Sequence, residues 1–245
     1  MLAVVAMAGF ACVAYTWITL PDVRPLRATV PQTTAFMRLR ADEAQDAGRK
    51  PRRVQRWVAY SRISPTLKRA VLVSEDAAFF QHDGVDLSEI RASLEKSWET
   101  GAQVRGGSTI TQQLAKNLYL SPTRNPYRKL TELLITRRLE AELTKARILE
   151  LYLNLIEWGD GVWGAEAAAR TYFGTSASEL SPAQAALLAG AIINPRVYSP
   201  AHPNARLLRR QQIILGRMGY VSPPEGPDSP AAAADDGAAV IKSTR

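Results

Sequence analysis

The 245 residues contain one cysteine, Cys12, and two histidines, His82 and His202. An internal disulfide and a cysteine-based zinc cage are therefore excluded, and no structural metal site is expected. Aromatic residues are sparse, at 7%. The apolar/polar alternation of half-buried strands is nearly absent, and no segment repeats. Acids are the minority charge, 23 against 31 Lys and Arg, which leaves a net +8. Such an excess predicts an anionic partner: phosphate groups, nucleic acid or an acidic membrane. No nucleic-acid-binding module has a signature here, so nucleic acid is not an expected partner. With 46% hydrophobic and 22% charged residues, the chain is neither wholly disordered nor fibrous.

Residues 1–20 carry no charged side chain. As a helix they would just span a bilayer core of about 30 Å. Tyr15 and Trp17 lie near one end, where interfacial aromatics belong. A signal-peptide core is the alternative, but a charged leading region is missing and Cys12-Val13-Ala14 is a poor cleavage pattern. An uncleaved single-pass anchor is the expectation. Arg24 and Arg27, taken alone, would place the following side in the cytoplasm. Residues 21–60 read as a basic juxtamembrane linker, whose RKPRRVQR run (Arg49 to Arg56) is solvated or lies on anionic lipid.

From residue 61 to 220 helix signals dominate, and the body is expected to be one mainly α domain. Ser64-Pro65 is an N-cap followed by Pro at the first helical position. Leu67, Val71, Ser74 and Ala78 follow at helical spacing, with Gly84 just past the expected end. Thr109-Ile-Thr-Gln112 and Ser181-Pro-Ala-Gln184 fit capping boxes. Asn125-Pro126 opens a long amphipathic segment, and Ile148 to Leu155 is a strongly apolar helix. Residues 221–245 have no amphipathic period and read as a disordered tail.

Chemistry can reside in five stretches. Glu75-Asp76-Ala-Ala-Phe79-Phe80-Gln-His82-Asp-Gly84 puts two acids at the polar edge of an apolar helix; a plain helix-end charge pair is the other reading. Arg105-Gly106-Gly107-Ser108-Thr109-Ile-Thr111-Gln112-Gln113-Leu-Ala-Lys116-Asn117 leads two glycines into a capped helix N-terminus, which suits an anion or is simply a capped loop. Arg128 and Glu132 are four apart and share a helix face near Arg124, Lys129, Arg137 and Arg138; a plain exposed salt bridge is the other reading. Leu149-Glu150-Leu-Tyr152-Leu-Asn154 is followed by Glu157-Trp158-Gly159-Asp160-Gly161 and Trp163-Gly164-Ala165, a Gly-rich turn between two helices that can bend backbone close to a ligand. Asn194-Pro195 with Tyr198 is a loop or part of a site.

In this order the five stretches resemble the motifs of the peptidoglycan glycosyltransferases, family 51, over roughly Ser64 to Met218. GGSTITQQLAKN and EDAAFFQHDG carry most of the likeness, and IEWGDGVWGAEAAA is similar to the monofunctional biosynthetic members. The resemblance implies a lysozyme-like helical domain with a small jaw lobe near Asp86 to Val104, held at the inner membrane with its body in the periplasm. That orientation opposes the charge count, which would be reconciled if a short basic segment preceded the recorded start. The implied reaction joins lipid II units into β-1,4-linked glycan strands and releases undecaprenyl pyrophosphate. Glu75 matches the catalytic glutamate and Glu132 the second functional one. Lys116, Arg124, Arg128 and Lys129 match pyrophosphate-holding positions, and Ser108, Gln112 and Gln113 match residues lining the donor side. No cofactor is required, although a divalent ion can assist. Lipid II, the growing strand and anionic lipids are the implied partners, with cell-division proteins as candidates. No Asp-x-Asp metal pair occurs, so Lys and Arg would carry much of the leaving-group neutralisation.

Two other classes stay in view. A lytic transglycosylase or hydrolase on the same fold would need one acidic glutamate but not the cationic set around Lys116. A membrane-anchored scaffold of the division machinery would be indifferent to Glu75 and Glu132. Ser93-Leu-Glu-Lys96 matches the Ser-x-x-Lys of penicillin-sensitive transpeptidases, but Ser-x-Asn and a complete Lys-Thr-Gly are missing, so it reads as chance.

Overall fold

The computed structural model describes residues 2–88, 107–120 and 126–220, together with Arg91, Glu95 and Trp98. Arg124, Ser93, Lys96, the 221–245 tail and most of the expected jaw stretch lie outside the described residues. In chain order the helices are α1 (Leu2–Thr19), α2 (Ala35–Asp46), α3 (Pro65–Glu75), α4 (Ile110–Tyr119), α5 (Pro126–Glu142), α6 (Lys145–Leu155), α7 (Ala165–Phe173), α8 (Pro182–Ala191) and α9 (Ala205–Arg217). A small sheet is built from β1 (Val54–Gln55), β2 (Glu157–Gly159) and β3 (Val162–Trp163).

Local caps set most of these boundaries. Leu67 N–H donates to the Ser64 hydroxyl at the start of α3, with Pro65 next in line. Both expected capping boxes form, at Thr109–Gln112 and at Ser181–Gln184. Each satisfies two N–H groups that the helix itself leaves open.

Helix α6 is the centre of the packing. From Ile148 to Leu155 every residue is buried. Its polar members are therefore all engaged, as burial requires. Glu150 Oε1 accepts from Tyr60 N at 2.8 Å and Oε2 from Arg147 Nη1 at 2.5 Å. Asn154 bonds both the N–H and the C=O of Val58 at 3.0 Å. Segment 58–60 is thereby strapped to the core helix. Helices α4 and α5 pack beside α6, while α3 lies against α8 and α9.

Three features differ from the sequence expectations. The helix beginning at Ser64 stops at Glu75, because Asp76 takes an extended φ of −167° and a turn follows. The sheet, order β1-β3-β2, was not expected: its strands are two or three residues long, too short for a period to show. β1 runs parallel to β3, β2 antiparallel to it. Residues 21–60, read as a linker, carry α2 and β1 and bury Val23, Leu26 and Met37 in the common core.

Helix α1 covers 18 residues, about 27 Å of rise. Among the described residues no helix is long and apolar enough to cross a membrane. The chain leaving α1 is fastened to the body. Leu20 is buried, and its carbonyl accepts from Arg138 Nη1 at 3.3 Å. Arg27 pairs with Glu142 at 2.6 Å.

Candidate active site

Glu75 is the last residue of α3, where the helix ends and its side chain meets α4. Its Oε2 accepts from Gln113 Nε2 at 3.0 Å, and its Oε1 lies 3.1 Å from the Ser74 hydroxyl. Gln113 is held in turn: its Oε1 accepts from the Tyr152 hydroxyl at 2.8 Å. An amide whose oxygen is taken must present its nitrogen to Glu75. Burial pushes the Glu75 carboxyl above its usual range; the Gln113 and Ser74 hydrogen bonds and the charges of Arg210 and Lys116 pull part of the way back. The Tyr152 phenol is raised well above its usual value, first by burial and then by the charges of Glu75 and Asp76.

The next residue, Asp76, serves the architecture. Its Oδ2 accepts from Ile110 N at 2.9 Å, the first residue of α4, and its Oδ1 is 2.9 Å from His82 Nε2. Gly84 N–H donates to His82 Nδ1 at 3.1 Å, which leaves the ring hydrogen on Nε2, facing Asp76. The Thr109 hydroxyl donates to Gly84 O at 2.7 Å and closes the loop. The end of α3 and the start of α4 are thus one hydrogen-bonded unit.

Gly84 makes this possible with a φ of +83°, and a Cβ there would stand 2.6 Å from Thr136 Cγ2. Gly84→Ala is therefore expected to cost about 1–3 kcal/mol from backbone strain, with contact added to it. A thermal melt of the purified variant checks this, as a lower Tm.

The second group of expected site residues sits on α4 and α5. Glu132 is buried, with Arg128 Nη1 at 3.0 Å and Lys129 Nζ at 2.5 Å. Lys116, in the last turn of α4, is held below the usual lysine range mainly by burial. The charges of Glu132 and Glu75 oppose that fall, while Arg128 and Lys129 add to it. Lys116 thus lies in the field of both glutamates, between the carboxyl at the end of α3 and the cations of α5. Glu132 keeps like charges close together by partial neutralisation, leaving a net positive site for an anion.

The structure brings Glu75, Gln113, Lys116, Arg128, Lys129 and Glu132 into this neighbourhood. Ser108 is exposed beside it and lines a small cleft with Glu75, Gly107 and Thr109. Gln112, expected on the donor side, is buried, and its Oε1 accepts from Thr109 N as part of the cap. Arg124 is outside the described residues. Sequence reasoning missed Tyr152 and Arg210 as neighbours of Glu75. Tyr152 stands in the fourth stretch, but nothing in the sequence assigns it a partner; Arg210 belongs to a visible basic face, Arg206, Arg209 and Arg210, that fell outside the five stretches.

A half-buried carboxyl with a raised pKa can take a proton from a hydroxyl, and the cations beside it can hold a phosphorylated leaving group. The family model described as Transglycosylase matches residues 43–219. A "Biosynthetic peptidoglycan transglycosylase" of Laribacter hongkongensis is 52% identical over 194 residues, 79% of this chain and 85% of that one. Its namesakes from Methylobacillus flagellatus and Chromobacterium violaceum are 51% and 50% identical over the same shares.

Proposed function

Because the chain belongs to the transglycosylase family, and is a peptidoglycan glycosyltransferase of cell-wall synthesis, we propose that it polymerises lipid II with Glu75 as general base. The observation that carries this is Glu75 itself. It is a carboxyl of raised pKa, pinned by Gln113 and Ser74 beside the Lys116–Arg128–Lys129 cation set.

Glu75 takes the proton of the acceptor GlcNAc 4-hydroxyl as that oxygen attacks C1 of the donor MurNAc. The C1–O bond to pyrophosphate breaks, the anomeric centre inverts, and a β-1,4 link results. Undecaprenyl pyrophosphate leaves with its charge held by Lys116, Arg128 and Lys129, joined by Arg124. Glu132 keeps these cations in register. Ser108 and Gln113 line the donor side, while Gln112 acts through the helix cap.

The same reading takes residues 1–20 as a single-pass inner-membrane anchor and 21–220 as one lysozyme-like catalytic body on the periplasmic side, with 21–60 as its juxtamembrane part, a jaw lobe after Asp86 and a C-terminal tail. Exposed Leu87 and Trp98 suit a lobe that touches lipid. Anionic lipids and cell-division proteins are its further proposed partners.

The test is incubation of the purified protein with labelled lipid II and separation of polymer from monomer. Polymer is the expected product. Release of soluble muropeptides from finished peptidoglycan, with no polymer, would overturn the reading.

A further inference from the structure

A second basic groove begins one residue from Glu75, at Ser74. Its inner end, a cleft of about 110 Å³, is lined by Ser74, Arg210 and Ile213. Its outer part, about 430 Å³, shares Arg210 and Ile213 and adds Arg206, Arg209 and Tyr198. The groove's α3 edge touches the catalytic carboxyl, and its α9 edge is fastened to α8. The Ser74 hydroxyl lies 3.1 Å from Glu75 Oε1 and 3.3 Å from Ala189 O. One residue on, Gly190 O accepts from Arg210 Nε at 3.1 Å.

Three arginines within five positions of α9 line this groove. Arg210 donates to Gly190 O and its charge reaches the Glu75 carboxyl, while Arg206 and Arg209 form no ion pair among the described residues. Like charges so placed repel one another, and a bound anion would relieve that cost. The walls are not uniformly polar, since Ile213 is 48% exposed and Ile193, also lining the groove, is 61% exposed. A compact inorganic anion would have no use for them. A short peptide with free carboxylates matches both features: guanidinium forks take carboxylates in a bidentate grip, and the isoleucines cover small apolar side chains.

The groove's position selects the substrate. The leaving-group cations belong to α4 and α5. The arginines belong to α9, which with α8 packs on α3, the helix that ends in Glu75. One member of each set, Lys116 and Arg210, acts on the Glu75 carboxyl. The base holds the acceptor hydroxyl, so a groove that begins beside it at Ser74, on the α8–α9 side, holds the rest of the acceptor. Resting on the lipid II reading, we propose that Arg206, Arg209 and Arg210 bind the carboxylates of the stem peptide borne by the acceptor's muramyl sugar.

The test uses the full chain in detergent, with two forms of lipid II: one with its free stem carboxylates, one with them amidated. Arg206→Ala/Arg209→Ala changes two exposed residues, and its Tm is measured alongside. With the free-carboxylate form, KM should rise roughly ten- to a hundred-fold over wild type while kcat changes little. With the amidated form, the gap between variant and wild type should close. Equal losses on both forms would overturn the proposal in favour of a pyrophosphate ligand. Normal kinetics on both would show the groove to be unused. With the assay repeated on anionic phospholipid vesicles, a loss seen there and not in detergent would make the groove a membrane surface, which also overturns the proposal. Wild type polymerising neither form would instead sink the lipid II reading, and this proposal with it.

Discussion

Glu75→Gln is expected to lower kcat by about 10²–10⁴-fold, the usual loss when a general base is removed. The amide keeps the shape of the carboxyl and can still sit between Ser74 and Gln113, but it accepts no proton. Donor binding should persist, because the cations of α4 and α5 are untouched. Polymerisation rates with labelled lipid II check this, and a near-normal rate would remove Glu75 from the mechanism.

The pH behaviour of the same pair adds an independent check. Burial holds the Glu75 carboxyl above its usual range. A base works only when ionised, so kcat/KM should rise with pH through a midpoint above the ordinary carboxylate value. Stability moves the other way. The folded carboxyl binds its proton more tightly than the unfolded one, so the folded state loses stability as pH rises from the unfolded pKa through the raised folded one. Gln cannot ionise. Above that window the variant should melt at a higher temperature than wild type, and below it the two should converge. Loss of activity with a gain in Tm is what separates a spent base from a damaged fold.

The parts of this site that were legible in the sequence are those set by near neighbours. Ser64, Thr109 and Ser181 cap helices through residues three positions on, and such spacings are visible in a linear chain. Arg128 and Glu132 share a face for the same reason. The overextension of α3 past Glu75 shows the limit. Apolar spacing continued to Ala78, but Asp76 is drawn out of the helix by His82 and by Ile110, the latter far along the chain. Tyr152 meets Gln113 across 39 residues, and nothing in an apolar run of Leu and Tyr announces that contact. Its role follows only once α6 is seen beneath α4. The arginines of α9 were present in the sequence as a basic face, yet their nearness to Glu75 depends on how α8 and α9 pack on α3.

Lys116→Ala is expected to cut polymerisation roughly ten- to a hundred-fold. A charge-assisted contact to a pyrophosphate contributes about 1.5–3 kcal/mol, and that range converts to those factors. The loss should fall on kcat more than on KM, because charge on the leaving oxygens grows as the bond breaks. The fold should survive: Glu132 keeps Arg128 and Lys129 as partners when Lys116 is gone, so no buried carboxylate is orphaned. Tm should therefore change little. Burial holds the Lys116 ammonium below the usual lysine range, so its deprotonation should set the alkaline limb of the wild-type pH–rate profile. That limb should disappear in Lys116→Ala. It should move to higher pH in Lys116→Arg, which keeps a charge that does not titrate in this range. A Lys116→Ala enzyme that polymerises lipid II at close to the wild-type rate, with Tm preserved, would mean that the leaving group is held elsewhere.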